Sequence, residues 1–151
     1  MGRPIKKNGR KDMVVVVSGG FDPLHIGHIR MFRDAKALGG KLVVILNNDN
    51  WVMKKKGRFF MSEKEREEII ESVRYVDKVV LTSHRKNPKD MSVCAELKKI
   101  RPDIFANGGD RGKNNIPEVA VCGQIGVKVI FGVGGGKIQS SSWLLKKHSG
   151  K

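Results

Sequence analysis

Cysteine is scarce in this 151-residue sequence, and long apolar segments are missing from it. The only cysteines, Cys94 and Cys122, are too few and too far apart for a disulfide framework or a paired-cysteine metal site. They are expected to be ordinary core thiols. No stretch approaches the ~18 apolar residues that a membrane span needs. These absences predict a soluble protein of a reducing, cytoplasmic compartment.

Acidic residues are also few, with 15 Asp and Glu against 30 Lys and Arg, which gives a formal net charge of +15. Such a charge favours anionic partners: nucleotides, phosphorylated metabolites or nucleic acid. Part of the excess lies in residues 1–12 and 148–151, which are predicted to be flexible tails around a single domain at residues 13–147. Because aromatic residues do not interleave with the basic ones, nucleic acid is the less favoured partner.

Short runs rich in Val and Ile alternate with segments of helical periodicity. Each run suits a strand covered on both faces. The alternation predicts an α/β fold: a three-layer α/β/α, Rossmann-like doubly wound parallel sheet of about five strands. The strands are predicted at residues 13–17, 42–46, 79–81, 104–106 and 127–131, and the helices at 26–38, 63–73, 91–100 and 117–125, with one more from about residue 140.

The segment GGFDPLHIGH, residues 19–28, directly follows the first predicted strand. In a doubly wound sheet, ligands bind beyond the carboxyl ends of the strands, and the loops after the first and fourth strands commonly flank the site. His25 precedes the first predicted helix and His28 lies inside it. A helix N-terminus attracts anions, and two imidazoles able to carry charge near neutral pH would add to it. The segment therefore predicts a phosphate-binding site.

The two histidines have other interpretations that the segment supports less well. A His-x-x-His pair could bind zinc, but only Asp22 lies nearby as a third ligand. Two structural histidines with satisfied hydrogen bonds would leave the neighbouring glycines unexplained. No G-x-G-x-x-G follows the first strand, and GVGGGKI at residues 132–138 lacks the spacing and the Ser or Thr of a P-loop.

The same segment resembles the signature G-x-F-D-x-x-H-x-G-H of nucleotidyltransferases in the cytidylyltransferase-like superfamily. RYVDKVV at residues 74–80, GGD at 108–110 and SSS at 140–142 extend the resemblance to about residues 13–147. It implies in-line transfer of NMP from an NTP to a phosphomonoester, with release of pyrophosphate and Mg²⁺ entering with the NTP. No dedicated metal ligand and no covalent intermediate are implied.

By resemblance, four side chains would be catalytic: His25 and His28 at the α-phosphate, with Lys54 and Arg66. Binding of the nucleotide is implied for a larger set: Gly19, Gly20, Phe21, Asp22, Gly27, Asn107, Gly109, Asp110, Ser140, Ser141 and Ser142.

Several of these residues have simpler interpretations. The basic cluster at residues 54–58 is either a mobile flap around Gly57 that faces the substrates or a solvated charge run. Arg66 could form a surface ion pair with Glu63, three residues back on one helix face. Asp110 could cap a turn and Ser140 a helix.

The RYVD segment lies at a subunit interface in similar proteins. The resemblance therefore implies a homodimer in which Arg74 and Asp77 make contacts between subunits.

The GGD and serine segments bear on the substrate. Glycerol-phosphate and choline-phosphate cytidylyltransferases tend to carry G-D-D or H-D-D and an arginine in R-T-x-G-I-S-T, whereas this chain has GGD and only Lys137 near that arginine position. The pattern is closer to adenylyltransferases acting on heptose 1-phosphate, which predicts ATP and a sugar phosphate. The alternatives are a CTP-dependent glycerol-phosphate enzyme, an adenylyltransferase that makes a dinucleotide cofactor, and a catalytically silent nucleotide or nucleic-acid binding module.

Overall fold

The computed structural model describes residues 12–108, 116–135, 141 and 144–145. Strands and helices alternate through this part of the chain. Their bounds are β1 Met13–Gly19, α1 Ile26–Gly39, β2 Gly40–Leu46, α2 Asp49–Lys56, α3 Glu63–Glu71, β3 Lys78–Leu81, α4 Cys94–Ile100, β4 Ile104–Ala106, α5 Ile116–Ile125 and β5 Lys128–Ile130.

All five strands run parallel in the order β3-β2-β1-β4-β5. In the centre, Val15 of β1 pairs with Leu42 of β2 on one side and with Ile104 of β4 on the other. The strand order reverses between β1 and β4, so the binding crevice is expected at the carboxyl ends of these two strands. The arrangement confirms the predicted fold class.

Apolar side chains fill both faces of the sheet. On one face Val15 and Val17 pack with Phe32 of α1 and Ile70 of α3. On the other face Val16 packs with apolar side chains that include Leu97 of α4 and Cys122 of α5. Successive residues of a strand point to opposite faces, which is why β1 is a continuous run of valines rather than an alternating pattern. Helices therefore cover both faces of the sheet, which gives the three layers α/β/α.

Helix α2 is the main element that periodicity failed to predict. Asn48 caps it by accepting the Trp51 N–H at 3.0 Å, and Gly57 ends it with a φ of 83°. The cluster at residues 54–56 therefore forms the exposed last turn of a helix that Gly57 ends, and the mobile flap stays a prediction. The last predicted helix, near residue 140, and the two predicted tails lie almost entirely outside the described residues.

The two cysteines carry free thiols, and the predicted core position holds for Cys122, whereas Cys94 is half-buried. Cys122 is buried, and burial raises the pKa of its thiol to about 11; burial also raises the pKa of Cys94. Both thiols therefore stay protonated at neutral pH.

Among the described residues, no helix is long and apolar enough to cross a membrane.

Candidate active site

The loop between β1 and α1, residues 20–25, begins with a tight turn around Phe21. This residue has a φ of 51°, and its ring folds back over Gly19, where a Cβ atom would lie 2.9 Å from the ring Cζ. The ring is buried and meets the edges of His28 and Phe32, with centroid distances of 4.9 and 5.3 Å. A glycine is needed at position 19 because the ring of Phe21 occupies the space of a side chain.

The two histidines cap helix α1 reciprocally. Nδ1 of His25 accepts the N–H of Gly27 at 3.1 Å, and Nδ1 of His28 accepts the N–H of His25 at 3.2 Å. This is a capping box in which imidazoles replace the usual Ser and Glu. The rings stack with their centroids 3.8 Å apart. Both histidines thus lie at the helix N-terminus, where the sequence predicted them.

These hydrogen bonds determine where the imidazole protons lie. Because both Nδ1 atoms accept, each neutral ring carries its proton on Nε2, which stays a donor for a ligand. Burial lowers the pKa of His28 to about 3, with smaller effects from His25 and Lys56, and burial and Lys56 lower the pKa of His25. The expectation that the imidazoles carry charge near neutral pH is therefore wrong for the protein without ligand.

Stability is expected to fall in mild acid because of His28. The unfolded chain binds a proton at this residue below about pH 6.5, whereas the folded protein keeps it neutral to about pH 3, so acid favours unfolding. One such group contributes a slope of up to about 1.4 kcal/mol per pH unit below pH 6.5. Urea unfolding between pH 7 and pH 5, above the carboxylate range, measures it. His28→Gln should flatten the slope, and an unchanged slope would contradict the assignment.

Asp22 joins the β1–α1 loop to the segment before α3. Its carboxylate is buried and accepts the backbone N–H groups of Phe60 at 2.5 Å and Met61 at 2.7 Å. Its backbone carbonyl accepts Lys56 Nζ at 3.1 Å. Asp22 therefore organises the loop, and both of its carboxylate oxygens accept backbone N–H groups. No group of three or more His, Cys, Asp or Glu in the described segments could hold a metal ion.

Arg66 is almost fully buried below this loop, with 1% of its surface exposed. Its Nη1 donates to the carbonyls of Gly20 at 2.8 Å and Asn47 at 2.7 Å, and its Nε donates to Met61 at 3.0 Å. Its Nη2 pairs with Asp49 at 2.6 Å. The hydrogen bonds of Arg66 thus connect three segments: the one after β1, the one after β2 and the one before α3.

The alternative surface ion pair of Arg66 with Glu63 is not formed. Glu63 instead accepts the backbone N–H of Asp49 at 2.8 Å. The carboxylate of Asp49 is the partner of the guanidinium, so both acidic residues hold the start of α2 in place.

Two lysines of α2 donate hydrogen bonds to different partners. Lys54 donates to Asn87 Oδ1 at 2.9 Å, whereas Lys56 reaches the carbonyl of Asp22. Burial lowers the pKa of Lys56. The structure therefore places Lys56, rather than the predicted Lys54, next to the β1–α1 loop and the histidines.

The loop after β3 lies against α2 and adds to its positive charge. Asn48 and Asn50 each donate to the carbonyl of His84 at 2.9 Å, and Trp51 Nε1 donates to Met91 O at 2.8 Å. Exposed cations on the two segments form what we term the basic surface: Lys54, Lys55, Lys56, Arg58, Arg85, Lys86 and Lys89. Within the described residues none of them is paired with a carboxylate.

The other side of the crevice follows β4. Asn107 is buried, its N–H donates to Ile130 O at 2.8 Å and its carbonyl accepts from Val133 at 2.9 Å. A Cβ on Gly108 would lie 3.6 Å from the sulfur of Met31 in α1. The predicted Gly109 and Asp110 lie outside the described residues.

The serine run meets the β1–α1 loop at one point. Ser141 Oγ donates to the carbonyl of Pro23 at 2.8 Å. Ser140, Ser142 and Lys137 lie outside the described residues. The structure thus brings Ser141 and the predicted residues of 19–28 together with Lys56 and Arg66.

Comparison with known proteins shows the family of this chain. Residues 16–121 match the family model described as Cytidylyltransferase-like. The chain belongs to the cytidylyltransferase-like family. It is a nucleotidyltransferase, as the sequence motif predicted.

Among its relatives, the FAD synthase of Pyrococcus abyssi is 41% identical over 104 residues, which span 68% of this chain and 67% of that protein. The "Bifunctional protein HldE" of Koribacter versatilis is 33% identical over 126 residues, 82% of this chain and 23% of that protein. A crystal structure of a lipopolysaccharide core biosynthesis protein from Thermoplasma volcanium superposes with a TM-score of 0.64 at 26% identity, covering 79% of this chain and 94% of that one.

Two residues of this nucleotidyltransferase site were not singled out from the sequence. Asp49 is 17 positions from its partner Arg66, and no local pattern relates the two. Lys56 is one of three adjacent lysines, and only the course of α2 decides which one reaches Asp22. The Asn48 cap was the available signal for α2, because Asn is favoured where a helix begins.

Proposed function

We propose that this chain transfers AMP from ATP to FMN and so forms FAD and pyrophosphate. The similarity to FAD synthases carries the proposal: six of the relatives bear this name and are 35–41% identical to the chain. The chain spans about two thirds of their length, 67% and 63% for the two from Pyrococcus. The proposal keeps the predicted ATP and replaces the predicted sugar phosphate by a nucleotide acceptor.

The site suits a reaction that needs no nucleophilic side chain. A phosphate oxygen of FMN would attack the α-phosphorus of ATP in line, and the bond from that phosphorus to the bridging oxygen would break, so that pyrophosphate leaves. The protein must hold two anions together and stabilise charge on the phosphate oxygens. His25 and His28 would donate from Nε2, and Lys56 would supply positive charge.

The neutral state of the histidines fits this role. A neutral imidazole whose Nδ1 accepts a backbone N–H is fixed in orientation, so its Nε2–H needs no reorganisation when charge develops on an oxygen. The approach of an anion would also oppose the effect of burial on the histidine pKa values.

Mg²⁺ is proposed to enter with ATP. The described residues offer no cluster of three metal ligands, and the Asp22 carboxylate already accepts two backbone N–H groups. Mg²⁺ is commonly held by substrate phosphates with few protein ligands, and such an ion would neutralise the charge of the triphosphate.

A substrate panel tests the proposal. ATP and CTP, each with Mg²⁺, are crossed with FMN, a heptose 1-phosphate and glycerol 3-phosphate, and FAD and pyrophosphate are both measured. We expect turnover with ATP and FMN, with one FAD formed for each pyrophosphate. Turnover with a sugar phosphate and none with FMN would overturn the proposal.

Adenylyl transfer to a sugar phosphate is the second candidate. It is supported by the 33% identity with the HldE protein, whose match covers more of this chain than that of the FAD synthases. The fold similarity to the lipopolysaccharide core biosynthesis protein agrees with it. The same panel separates the two candidates, because FAD forms only from FMN and a nucleotide-activated sugar only from the sugar phosphate.

A homodimer through the RYVD segment remains part of the proposal. Within the chain, Asp77 accepts the N–H of Leu42 at 2.8 Å and pairs with Lys36 at 2.7 Å, so its carboxylate holds the edge of its own sheet. Arg74 lies 5.5 Å from the ring of Tyr75 and is exposed. Arg74 is therefore the better candidate for a contact between subunits, and light scattering of Arg74→Glu against the wild type tests it.

A further inference from the structure

Two adjacent phenylalanines are exposed beside the candidate active site. Phe60 has 63% of its surface exposed and Phe59 has 40%, whereas Phe21, Phe32 and Phe105 are buried. Single exposed apolar residues are common on proteins, but adjacent aromatic rings at the rim of a site are typical of binding surfaces.

The backbone that carries these rings is held on both sides. The N–H groups of Phe60 and Met61 donate to the buried carboxylate of Asp22, and the carbonyl of Met61 accepts from Arg66. Ordered backbone below an exposed ring lowers the entropy that a ligand must remove on binding. The position of Phe60 is thus fixed by residues of the β1–α1 loop and its support.

Asp22 also connects the rings to positive charge. The carboxylate of Asp22 accepts the backbone N–H of Phe60 while its carbonyl accepts Lys56 Nζ, so the residue that carries the ring and the ammonium group both contact Asp22. A ligand with a flat ring at one end and a phosphate at the other matches this arrangement. FMN has this chemistry.

The topology separates this surface from the expected position of adenine. The nucleotide crevice lies between β1 and β4, where the strand order reverses. Phe59 and Phe60 follow α2, which succeeds β2 on the opposite side of β1. The two rings therefore lie on the side of β1 that is left for the acceptor.

We propose that Phe60, with Phe59 beside it, is the surface on which the isoalloxazine ring of FMN stacks while the FMN phosphate faces Lys56 and the histidines. The inference rests on the proposed FAD synthase function and deepens it by assigning the acceptor site. Stacking of a flat heteroaromatic ring on a phenylalanine gains contact area without a matching set of hydrogen bonds.

Flavin fluorescence tests the assignment directly. FMN is titrated with wild type, Phe60→Ala, Phe60→Leu and the control Ile69→Ala, which removes an exposed apolar side chain from α3. FAD formation is measured in parallel. For Phe60→Ala we expect at least a tenfold rise in Kd and KM for FMN, with kcat within threefold and the KM for ATP unchanged. Phe60→Leu keeps a large apolar side chain but has no flat ring, so it should resemble Phe60→Ala.

The outcomes are distinct. If wild type makes FAD but Phe60→Ala and Phe60→Leu bind FMN as wild type does, the stacking surface is wrong and the FAD synthase function stands. If wild type neither binds FMN nor forms FAD, both are overturned. Equal melting temperatures of the variants show that a loss of FMN binding is not a loss of folding, as expected for exposed side chains.

Discussion

His28→Gln and His25→Asn are each expected to lower kcat by about 10²–10³-fold while the melting temperature changes little, by analogy with the removal of one preorganised donor in other enzymes. The two replacements are chosen because they keep the helix cap. Asn is a favoured N-cap residue and Gln at the third helical position completes a capping box. The imidazole Nε2–H donors and the ring contacts are removed while the cap hydrogen bonds can still form, so the effect on activity is measured apart from the loss of the cap.

The control for this pair is His25→Ala. It removes both the donor and the cap, and should lose about 1 kcal/mol of stability in addition to activity. The double variant should be about as inactive as either single variant, because two stacked donors that act on one phosphate form a unit. FAD formation and thermal unfolding measure the two properties. Activity within threefold of wild type in both cap-preserving variants would exclude a catalytic role of the two histidines.

The second large effect is expected for Arg66→Met. Methionine fills similar space but leaves the carbonyls of Gly20 and Asn47 and the carboxylate of Asp49 without their buried donor. Removing one member of a buried ion pair commonly costs about 3–5 kcal/mol. Urea unfolding of Arg66→Met should show a loss of this size, together with a marked loss of activity because three segments of the site are released.

Two further variants make the Arg66 experiment specific. Arg30→Met removes an exposed arginine of α1 and should change the free energy of unfolding by less than about 0.5 kcal/mol. Adding Asp49→Asn to Arg66→Met should recover part of the stability, because the unpaired carboxylate is then neutral. A loss below about 1 kcal/mol in Arg66→Met would show that the guanidinium network contributes little.

The sheet was predictable because a strand that is buried on both faces needs apolar side chains at adjacent positions. The valines at positions 15–17 are apolar without a gap, and this alone indicates a central parallel strand. The position of the crevice beyond the first and fourth strands then followed from general rules for doubly wound sheets, whereas the order of the strands came from the structure. Helix α2 was missed because it is short and Val52 is its one fully buried residue, which leaves no apolar periodicity.

The site was predictable where its residues are close in sequence. The histidines lie three positions apart, and the helix N-terminus places both of them. Their pKa values were not predictable, because the extent of burial depends on the packing of the folded chain and the charge of Lys56 comes from another helix. The burial of Arg66 was likewise hidden, since its carbonyl partner at Gly20 is 46 positions away.

The cations of the basic surface have no carboxylate partner among the described residues. We therefore expect every affinity measured for this enzyme to depend on the ionic strength of the buffer. At about 0.15 M ionic strength the Debye length is about 8 Å, so mobile ions screen exposed charges beyond that range. Association of ATP and FMN should slow as salt rises, and inorganic phosphate should compete for the same cations. The protein should also retain polyanions during purification, so residual nucleic acid must be removed before any Kd is compared between variants.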